Sequence, residues 1–144
     1  MATLSQHIAF NGNAEEAFNF YKGVFGSEIQ MIMRYKDTPE GIPNPTTQAE
    51  GEMVMHISMP VGNGAMLMGC DMPAAFGKAS YGNAFNISVG VDSREEADKI
   101  YNGLLEGGKV SMPIADTFWG AYFGMVVDKY GVQWMVSYDN INNN

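Results

Sequence analysis

A short motif near the start of the chain recurs eighty residues later, at positions 15 and 95. The matching residues are Glu15-Glu16-Ala17, Tyr21 and Gly23 in the first copy and Glu95-Glu96-Ala97, Tyr101 and Gly103 in the second. Asn13 and Ser93 precede the two copies at the same offset, and both are residue types that cap helix N-termini. Alternating segments at 4–10 and 85–91 come before the caps. This spacing indicates an internal repeat whose unit begins with a strand, a cap and a helix.

The remainder of the first copy predicts three more strands. Period-two alternation begins at Ser27, as in a strand exposed on one side. The proline-rich stretch 37–50 is unsuited to a central strand and predicts a long loop, with a lid as one interpretation. Two apolar runs, 52–59 and 65–71, follow, and the Asn63-Gly64 pair between them favours a hairpin turn. Module one, residues 1–71, is therefore predicted to be β-α-β-β-β.

The second copy repeats this order after a linker predicted at residues 72–83. Module two, residues 84–139, is predicted to have strands at 85–91, 109–114, 119–127 and 132–138 and a helix at 93–106. Gly107-Gly108 would end that helix in a left-handed turn, and Asp128 would begin the last hairpin turn. Residues 140–144 read as a frayed polar tail. The sequence predicts one α+β domain built from two tandem βαβββ modules.

Charge and composition exclude several classes of partner. The 16 acidic residues against 8 basic ones give a formal charge of −8, which disfavours nucleic acid. No apolar run is long enough for a membrane span, and the first residues lack a basic segment followed by an apolar one, so we expect a cytoplasmic protein. The single cysteine, Cys70, excludes an intrachain disulfide. We interpret it as a small buried residue, with a nucleophile as the alternative.

Two segments carry a family resemblance that covers nearly the whole chain. The first is Asn11-Gly12-Asn13-Ala14-Glu15-Glu16-Ala17, leading into Phe20-Tyr21-Lys22 and Val24-Phe25-Gly26. With the tandem βαβββ unit, it resembles the vicinal oxygen chelate superfamily, which includes glyoxalase I and the extradiol dioxygenases. The second runs from Asp116-Thr117-Phe118-Trp119-Gly120 to Asp128-Lys129-Tyr130-Gly131-Val132-Gln133-Trp134. It is similar to the PhnB-like branch, or 3-demethylubiquinone-9 3-methyltransferase-like domain. The resemblance implies cupped mixed sheets and a homodimer.

The resemblance also implies where a metal would bind. Metal-dependent members carry His, Gln or Glu on the first strand of each module and a carboxylate on a last strand. Carried over, these positions fall on Gln6 and Asn86, and on Met68 and Met135. Two amides and two thioethers include no anionic ligand, so we expect neither the usual divalent metal nor another cofactor. Thioethers favour Cu(I), but apolar lining is the preferred interpretation of these methionines.

This carry-over depends on the register of the first strand. Alternation groups Gln6, Ile8 and Phe10 on the predicted cup face and places His7 and Ala9 against the helix. A slip of one residue would send His7 into the cup instead. The residue eighty positions after His7 is an isoleucine, which coordinates nothing, so we prefer the register with Gln6 inside.

The predicted cup has apolar walls with a few amides and hydroxyls. Such a cup suits an uncharged or weakly polar organic ligand, and the alternative is that its methionines fill it. Trp119 would stack on a planar ligand or else serve only as buried structure. The predicted ligand-binding residues are Gln6, Met68, Asn86, Met135, Phe10 and Trp119. Alternation adds Met66, Cys70, Ile8, Ser88, Gln133 and Ser137 to the same faces.

Two classes of function remain open on the sequence. The preferred one is a metal-free protein that binds a small molecule. The other is a lyase or transferase in which His56 or Asp116 acts as acid or base, alone or with a recruited metal. A methyltransferase is less favoured, because no glycine-rich loop follows a strand to hold S-adenosylmethionine. Whether the chain is an enzyme at all is left undecided by these residues.

Overall fold

The computed structural model describes residues 1–44, 46–62 and 64–139. Asn63 of the predicted hairpin turn, one proline of the predicted loop and the predicted tail lie outside these residues. The chain divides into two compact units, Met1–Ser80 and Tyr81–Asn144.

Unit 1 contains one helix and a four-stranded mixed sheet, sheet 1. Its elements are β1 (Gln6–Phe10), α1 (Ala14–Phe25), β2 (Met31–Arg34), β3 (Val54–Val61) and β4 (Ala65–Asp71). The strand order is β1-β4-β3-β2, with β1 parallel to β4 and the other neighbours antiparallel. Two short 3-10 turns lie between β2 and β3: Tyr35–Asp37 leads into the predicted loop, and Gln48–Glu50 ends it. The predicted β-α-β-β-β order is confirmed.

Unit 2 repeats this architecture. Its elements are β5 (Ile87–Gly90), α2 (Arg94–Leu105), β6 (Lys109–Asp116), β7 (Ala121–Val127) and β8 (Gln133–Asp139). They form sheet 2 in the order β5-β8-β7-β6, with β5 parallel to β8. The first strand of each unit is shorter than predicted, because Leu4 and Phe85 lie outside it and are 95% and 82% exposed. The two mixed sheets confirm the predicted α+β fold.

The two helices are capped in different ways. At α2, the Ser93 hydroxyl accepts a hydrogen bond from the Glu96 N–H, as predicted. At α1, Asn13 occupies the N-cap position but makes no capping hydrogen bond. Asp71 at the end of β4 takes its place, since its Oδ1 accepts from the N–H groups of Gly12 and Ala14. A buried carboxylate is a strong partner for the positive end of a helix, so a long-range cap replaces the predicted local one.

Each helix packs on one face of its own sheet. In unit 1, the Phe18 ring meets Phe10 edge to face, with ring centroids 6.2 Å apart. A Cβ atom at Gly69 would lie 2.7 Å from the Phe18 ring, so the absence of a side chain lets the helix approach. In unit 2, a Cβ atom at Gly124 would lie equally close to Tyr101. Neither helix in the described part of the chain has the length and apolarity that a bilayer span requires.

Candidate functional site

The face of sheet 1 that turns away from α1 differs from the predicted one. Phe10 is fully buried against Phe18, and Ile8 is 6% exposed, so both belong to the core beneath the helix. Alternation then puts His7 and Ala9 on the opposite face, which we call the far face of sheet 1. The predicted face of β1 is therefore wrong, because Ile8 and Phe10 face α1, and His7 and Ala9 lie on the side of the sheet away from the helix.

Strand pairing identifies the other residues of the far face. His7 is the partner of Met68 and Ala9 is the partner of Cys70 in the parallel β1–β4 ladder. In the antiparallel ladders, Met68 pairs with Ser58 of β3, and Ser58 pairs with Met31 of β2. The far face of sheet 1 thus carries His7, Ala9, Met31, Met33, His56, Ser58, Met66, Met68 and Cys70. No carboxylate is among these nine side chains.

The two histidines meet on this face. The rings of His7 and His56 are 6.4 Å apart between centroids and inclined by 24°. They project from β1 and β3, which flank β4, so Met68 and Cys70 lie on the strand between them. Partial burial lowers the pKa of His7, and repulsion by His56 lowers it further. A neutral imidazole at this position has one nitrogen lone pair available for a ligand.

The face of β1 is predicted wrongly because the connection from the first strand to the helix differs in length between the two units. His7 pairs with Met68, and the residue that pairs with the equivalent Met135 in unit 2 is Ser88. These strand residues are 81 apart (88 − 7), whereas the helix starts, at 14 and 94, are 80 apart. The connection from strand to helix is therefore one residue shorter in unit 2. An offset of eighty residues relates the two helices correctly, but it is one residue too short for the first strands.

Unit 2 has a far face of its own, opposite α2. Trp134 and Val136 are buried, which leaves Ser88 and Met135 on the other side of sheet 2. Asn86, predicted as a ligand-binding residue, lies just before β5 and is half-buried. The structure thus brings predicted residues together within each sheet, while Gln6 and Phe10 fall outside the far face of sheet 1.

The family model described as 3-demethylubiquinone-9 3-methyltransferase matches residues 2–137 of the chain. The chain belongs to this family. The predicted resemblance to the PhnB-like branch is confirmed.

Relatives of this PhnB-like protein match it almost from end to end. It is 28% identical to Protein YjdN of Escherichia coli (strain K12) over 140 residues, which cover 93% of each chain. The crystal structure of protein PA1353 from Pseudomonas aeruginosa is 35% identical, with a TM-score of 0.84 over 96% of this chain and 98% of that one. The PhnB protein from Bacillus cereus, a putative 3-demethylubiquinone-9 3-methyltransferase, is 30% identical, with a TM-score of 0.74 over 95% and 99%.

A glyoxalase-type structure shares the fold at much lower identity. A glyoxylase/bleomycin resistance protein/dioxygenase domain from Frankia sp. EAN1pec has a TM-score of 0.68 at 10% identity, over 96% of this chain and 98% of that one. Identity at this level shows a shared fold and leaves the chemistry to the residues of each site.

The residues of this PhnB-like protein do not fit the divalent metal of glyoxalase-type enzymes. Such ions need anionic or several nitrogen and oxygen ligands. Within residues 1–44, 46–62 and 64–139, no three side chains of His, Cys, Asp or Glu are grouped so that they could hold an ion. The far face of sheet 1 offers two imidazoles, and its remaining donors are thioethers, one thiol and one hydroxyl.

The strand-to-helix connection of unit 1 is also unsuited to a nucleotide-like cofactor. Cofactors with phosphate or carboxylate groups often bind free N–H groups at a helix N-terminus. Here the N–H groups of Gly12 and Ala14 already donate to the Asp71 carboxylate, whose negative charge would repel an anion. The methyltransferase activity in the family's description therefore gains no support from this connection.

The aromatic residues predicted around a ligand form a cluster in unit 2. Trp119 contacts Phe118 and Phe123 edge to face, with ring centroids 5.1 and 5.8 Å apart. Phe118 is 98% exposed and Trp119 is 49% exposed, so neither ring is part of the buried core. Phe123 pairs with Ser137 on the far face of sheet 2. Trp119 therefore lies at one end of that face, within reach of a flat molecule bound there.

Of the two catalytic candidates, Asp116 is held by other residues. Both of its carboxylate oxygens accept from Arg94, at 2.7 and 3.0 Å. The Arg94 guanidinium also stacks 4.1 Å above the Tyr122 ring centroid, and Tyr122 donates to Asp98. These contacts tie the edge strand β6 to α2 and give Asp116 a structural role. His56, in contrast, lies on the far face of sheet 1.

Asp128 and Cys70 also have structural explanations. The Asp128 carboxylate accepts from the N–H groups of Tyr130 and Val132 and from the Trp134 indole, which confirms its predicted role in the turn. Cys70 is half-buried, and desolvation raises the pKa of its thiol, with Asp71 adding to the effect. A raised pKa keeps the thiol protonated and disfavours the nucleophile interpretation.

Proposed function

We propose that this PhnB-like protein binds a small, uncharged or weakly polar organic molecule on the far face of sheet 1, without a divalent catalytic metal. The observation that carries the proposal is the placement of His7 beside Met68 on a face that has four methionines and no carboxylate. Methionine side chains adapt to the shape of an apolar ligand, and a few polar groups suffice to orient it. His7, His56 and Ser58 supply those groups.

The far face of sheet 2 supports the same type of ligand. Met135 and Ser88 correspond to Met68 and His7 through their pairing, and exposed Trp119 offers a ring for stacking. We propose Met135, Asn86 and Trp119 as contacts for a planar ligand on the far face of sheet 2 itself. Gln6 and Phe10 are withdrawn from the proposed ligand set, because the first lies on the helix side of β1 and the second is in the core.

A second candidate function is a lyase or transferase with a histidine as acid or base. The His7–His56 pair favours it, because burial, and after it repulsion by His56, lowers the pKa of His7 and leaves an imidazole that can accept a proton. In this version His56 is the catalytic residue. If a turnover is found, His56→Gln should abolish it and Asp116→Asn should leave it intact. Equal activity of the wild type and His56→Gln would remove the candidate.

Binding is tested by blocking the far face. A library of uncharged aromatic and aliphatic compounds is screened by thermal shift, and hits are measured by calorimetry. Met68→Trp would fill the space beside His7 and should abolish binding of those hits. The matched control is Leu4→Trp, at a position that is 95% exposed and outside β1, and it should bind like the wild type. Hits that bind Met68→Trp with unchanged affinity would refute the proposed location.

The proposal includes a homodimer located in the cytoplasm. The support for a dimer is the number of exposed apolar side chains in unit 2, among them Phe85, Val110, Met112 and Phe118. Support for the compartment is limited to the single unpaired cysteine. Light scattering at micromolar concentration should give twice the mass of one chain, and a monomer mass would contradict the dimer.

A further inference from the structure

We infer that Tyr35 closes one end of the far face of sheet 1 and limits the length of the molecule that this face can bury. The inference rests on the proposed function, because it names a specificity-determining residue of the same site. Tyr35 directly follows the edge strand β2 and is only 7% exposed, whereas Met31, at the start of β2, is 43% exposed. The two ends of this strand therefore differ in how far they are covered.

The register of β2 places Tyr35 on the far side of the sheet. Arg34, the last residue of β2, pairs with Val54 and binds Glu15 of α1, so it lies on the helix side. The backbone is still extended at Arg34, and alternation directs the next side chain, Tyr35, to the other side. Met33 lies two residues earlier on the same side, about 6.8 Å away along the strand. Tyr35 is therefore one step beyond the far-face residues of β2.

The Tyr35 side chain crosses the sheet as far as β4. Its hydroxyl donates to the main-chain oxygen of Asp71, the last residue of β4, at 3.3 Å. Because β3 lies between β2 and β4, the ring passes the start of β3 to make this contact. Burial raises the pKa of Tyr35, and the neighbouring Cys70, Asp71 and Glu50 raise it further. The ring thus forms a wall across the end of the far face, next to the Cys70 thiol.

The main chain of Tyr35 is fixed as firmly as its hydroxyl. Its N–H donates to the Met53 carbonyl at 3.0 Å. Its carbonyl accepts from the Thr38 N–H, the Thr38 hydroxyl and the Asn44 side-chain amide, at 3.1, 2.7 and 2.9 Å. Moving the ring aside would strain or break these contacts, so the wall is preformed and does not yield to a ligand.

A wall at one end sets a limit on the buried length. At the end that carries Met66, whose partner Pro60 is exposed, a long ligand leaves the sheet and enters solvent. At the other end, the Tyr35 ring stops it next to Cys70. Each methylene that the face buries should tighten binding about fourfold, and a methylene beyond either end adds nothing. The wild type should therefore reward chain length only up to a fixed limit.

The test uses para-alkylphenols of increasing alkyl length as uncharged probes, measured by calorimetry. In the wild type, the Kd should fall with each methylene and then level off. In Tyr35→Ala, the levelling should move to longer chains by about 6.8 Å of added face, so the longest phenols should bind about tenfold or more tightly than to the wild type. Tyr35→Phe keeps the wall and should level off where the wild type does. Tyr35→Leu makes a smaller opening and serves if Tyr35→Ala does not fold.

The thiol of Cys70 reports on the wall without any ligand, since it is the single cysteine of the chain. N-ethylmaleimide should alkylate it several-fold faster in Tyr35→Ala and Tyr35→Leu than in the wild type and Tyr35→Phe, with each variant shown to be folded by circular dichroism. Tyr130→Ala, which removes a half-buried tyrosine of unit 2, is the matched control and should react like the wild type.

The outcomes separate this inference from the proposed function. An unchanged length limit in Tyr35→Ala, for phenols whose binding Met68→Trp abolishes, would overturn the inference and leave the proposed function standing. Equal alkylation rates in all variants would also overturn the inference. Failure of phenols of every length to bind the wild type would count against both.

Discussion

Removing the Asp71 carboxylate should destabilise the protein far more than removing Asn13, the residue that the sequence marks as the helix cap. Asp71 is 2% exposed, and its oxygens accept from the N–H groups of Gly12, Ala14 and Val54 at 3.1, 2.9 and 2.9 Å. It therefore joins the start of α1 to the first residue of β3 from the end of β4.

The magnitude follows from these three contacts. A hydrogen bond to a charged group contributes roughly 1.5–3 kcal/mol, so the three would total about 4.5–9 kcal/mol if they were additive. Relief of the carboxylate's own desolvation and the entry of water reduce this sum, and we expect Asp71→Ala to cost about 3–5 kcal/mol. Asn13→Ala should cost less than about 0.5 kcal/mol, below the usual loss for a working cap.

Urea unfolding followed by circular dichroism measures both variants. The midpoint of Asp71→Ala should fall strongly with little change in the denaturant slope, while Asn13→Ala should nearly overlay the wild type. Asp71→Asn should be intermediate, because one amide oxygen can keep only part of the contacts. If Asn13→Ala cost more than Asp71→Ala, the account of how α1 is capped would be refuted.

Three further predictions concern single side chains. The pKa of His7 should lie below 6.5 in an NMR titration and should rise in His56→Gln. Because the pKa is lower in the folded protein than in the unfolded chain, the unfolded chain binds the proton more tightly. The free energy of unfolding should therefore fall as the pH drops from about 6.5 through the pKa of the folded protein. A titration midpoint at or above 6.5 would contradict this. Gly69→Ala should cost about 2–4 kcal/mol in urea unfolding, since its Cβ would lie 2.7 Å from a buried ring, whereas Gly90→Ala, with nothing within 4 Å, should cost under about 1 kcal/mol. Equal costs would contradict the close approach. Asp116→Ala breaks an exposed ion pair and should cost about 1 kcal/mol or less while leaving the affinity for organic ligands unchanged; a loss of binding would return this residue to the site.

Much of the fold was predictable because its signals are local. Alternation located the strands to within a few residues, and the helix starts followed from Asn13 and Ser93. Gly107, with φ of 76°, adopts the predicted left-handed conformation in the turn after α2, one residue beyond the C-cap Glu106. The order of elements in both units needed no information beyond neighbouring residues.

The candidate site was less predictable, because its features depend on pairing between distant segments. The Asp71 contact with Ala14 spans 57 residues, and no local pattern marks it. Alternation groups residues into two faces without saying which face meets the helix, so His7 was placed on the wrong side. The shorter connection in unit 2 becomes visible only from the pairing of His7 with Met68 and of Ser88 with Met135, which join distant segments.

We propose that a small organic molecule binds on the far face of sheet 1, beside His7. Protein labelled with carbon-13 at the methionine methyl groups tests this directly when it is titrated with a compound from the screen. The methyl signals of Met33, Met66 and Met68 should shift together, while that of Met59, fully buried beneath α1, should stay in place. Saturable binding that leaves those three signals unmoved would contradict it.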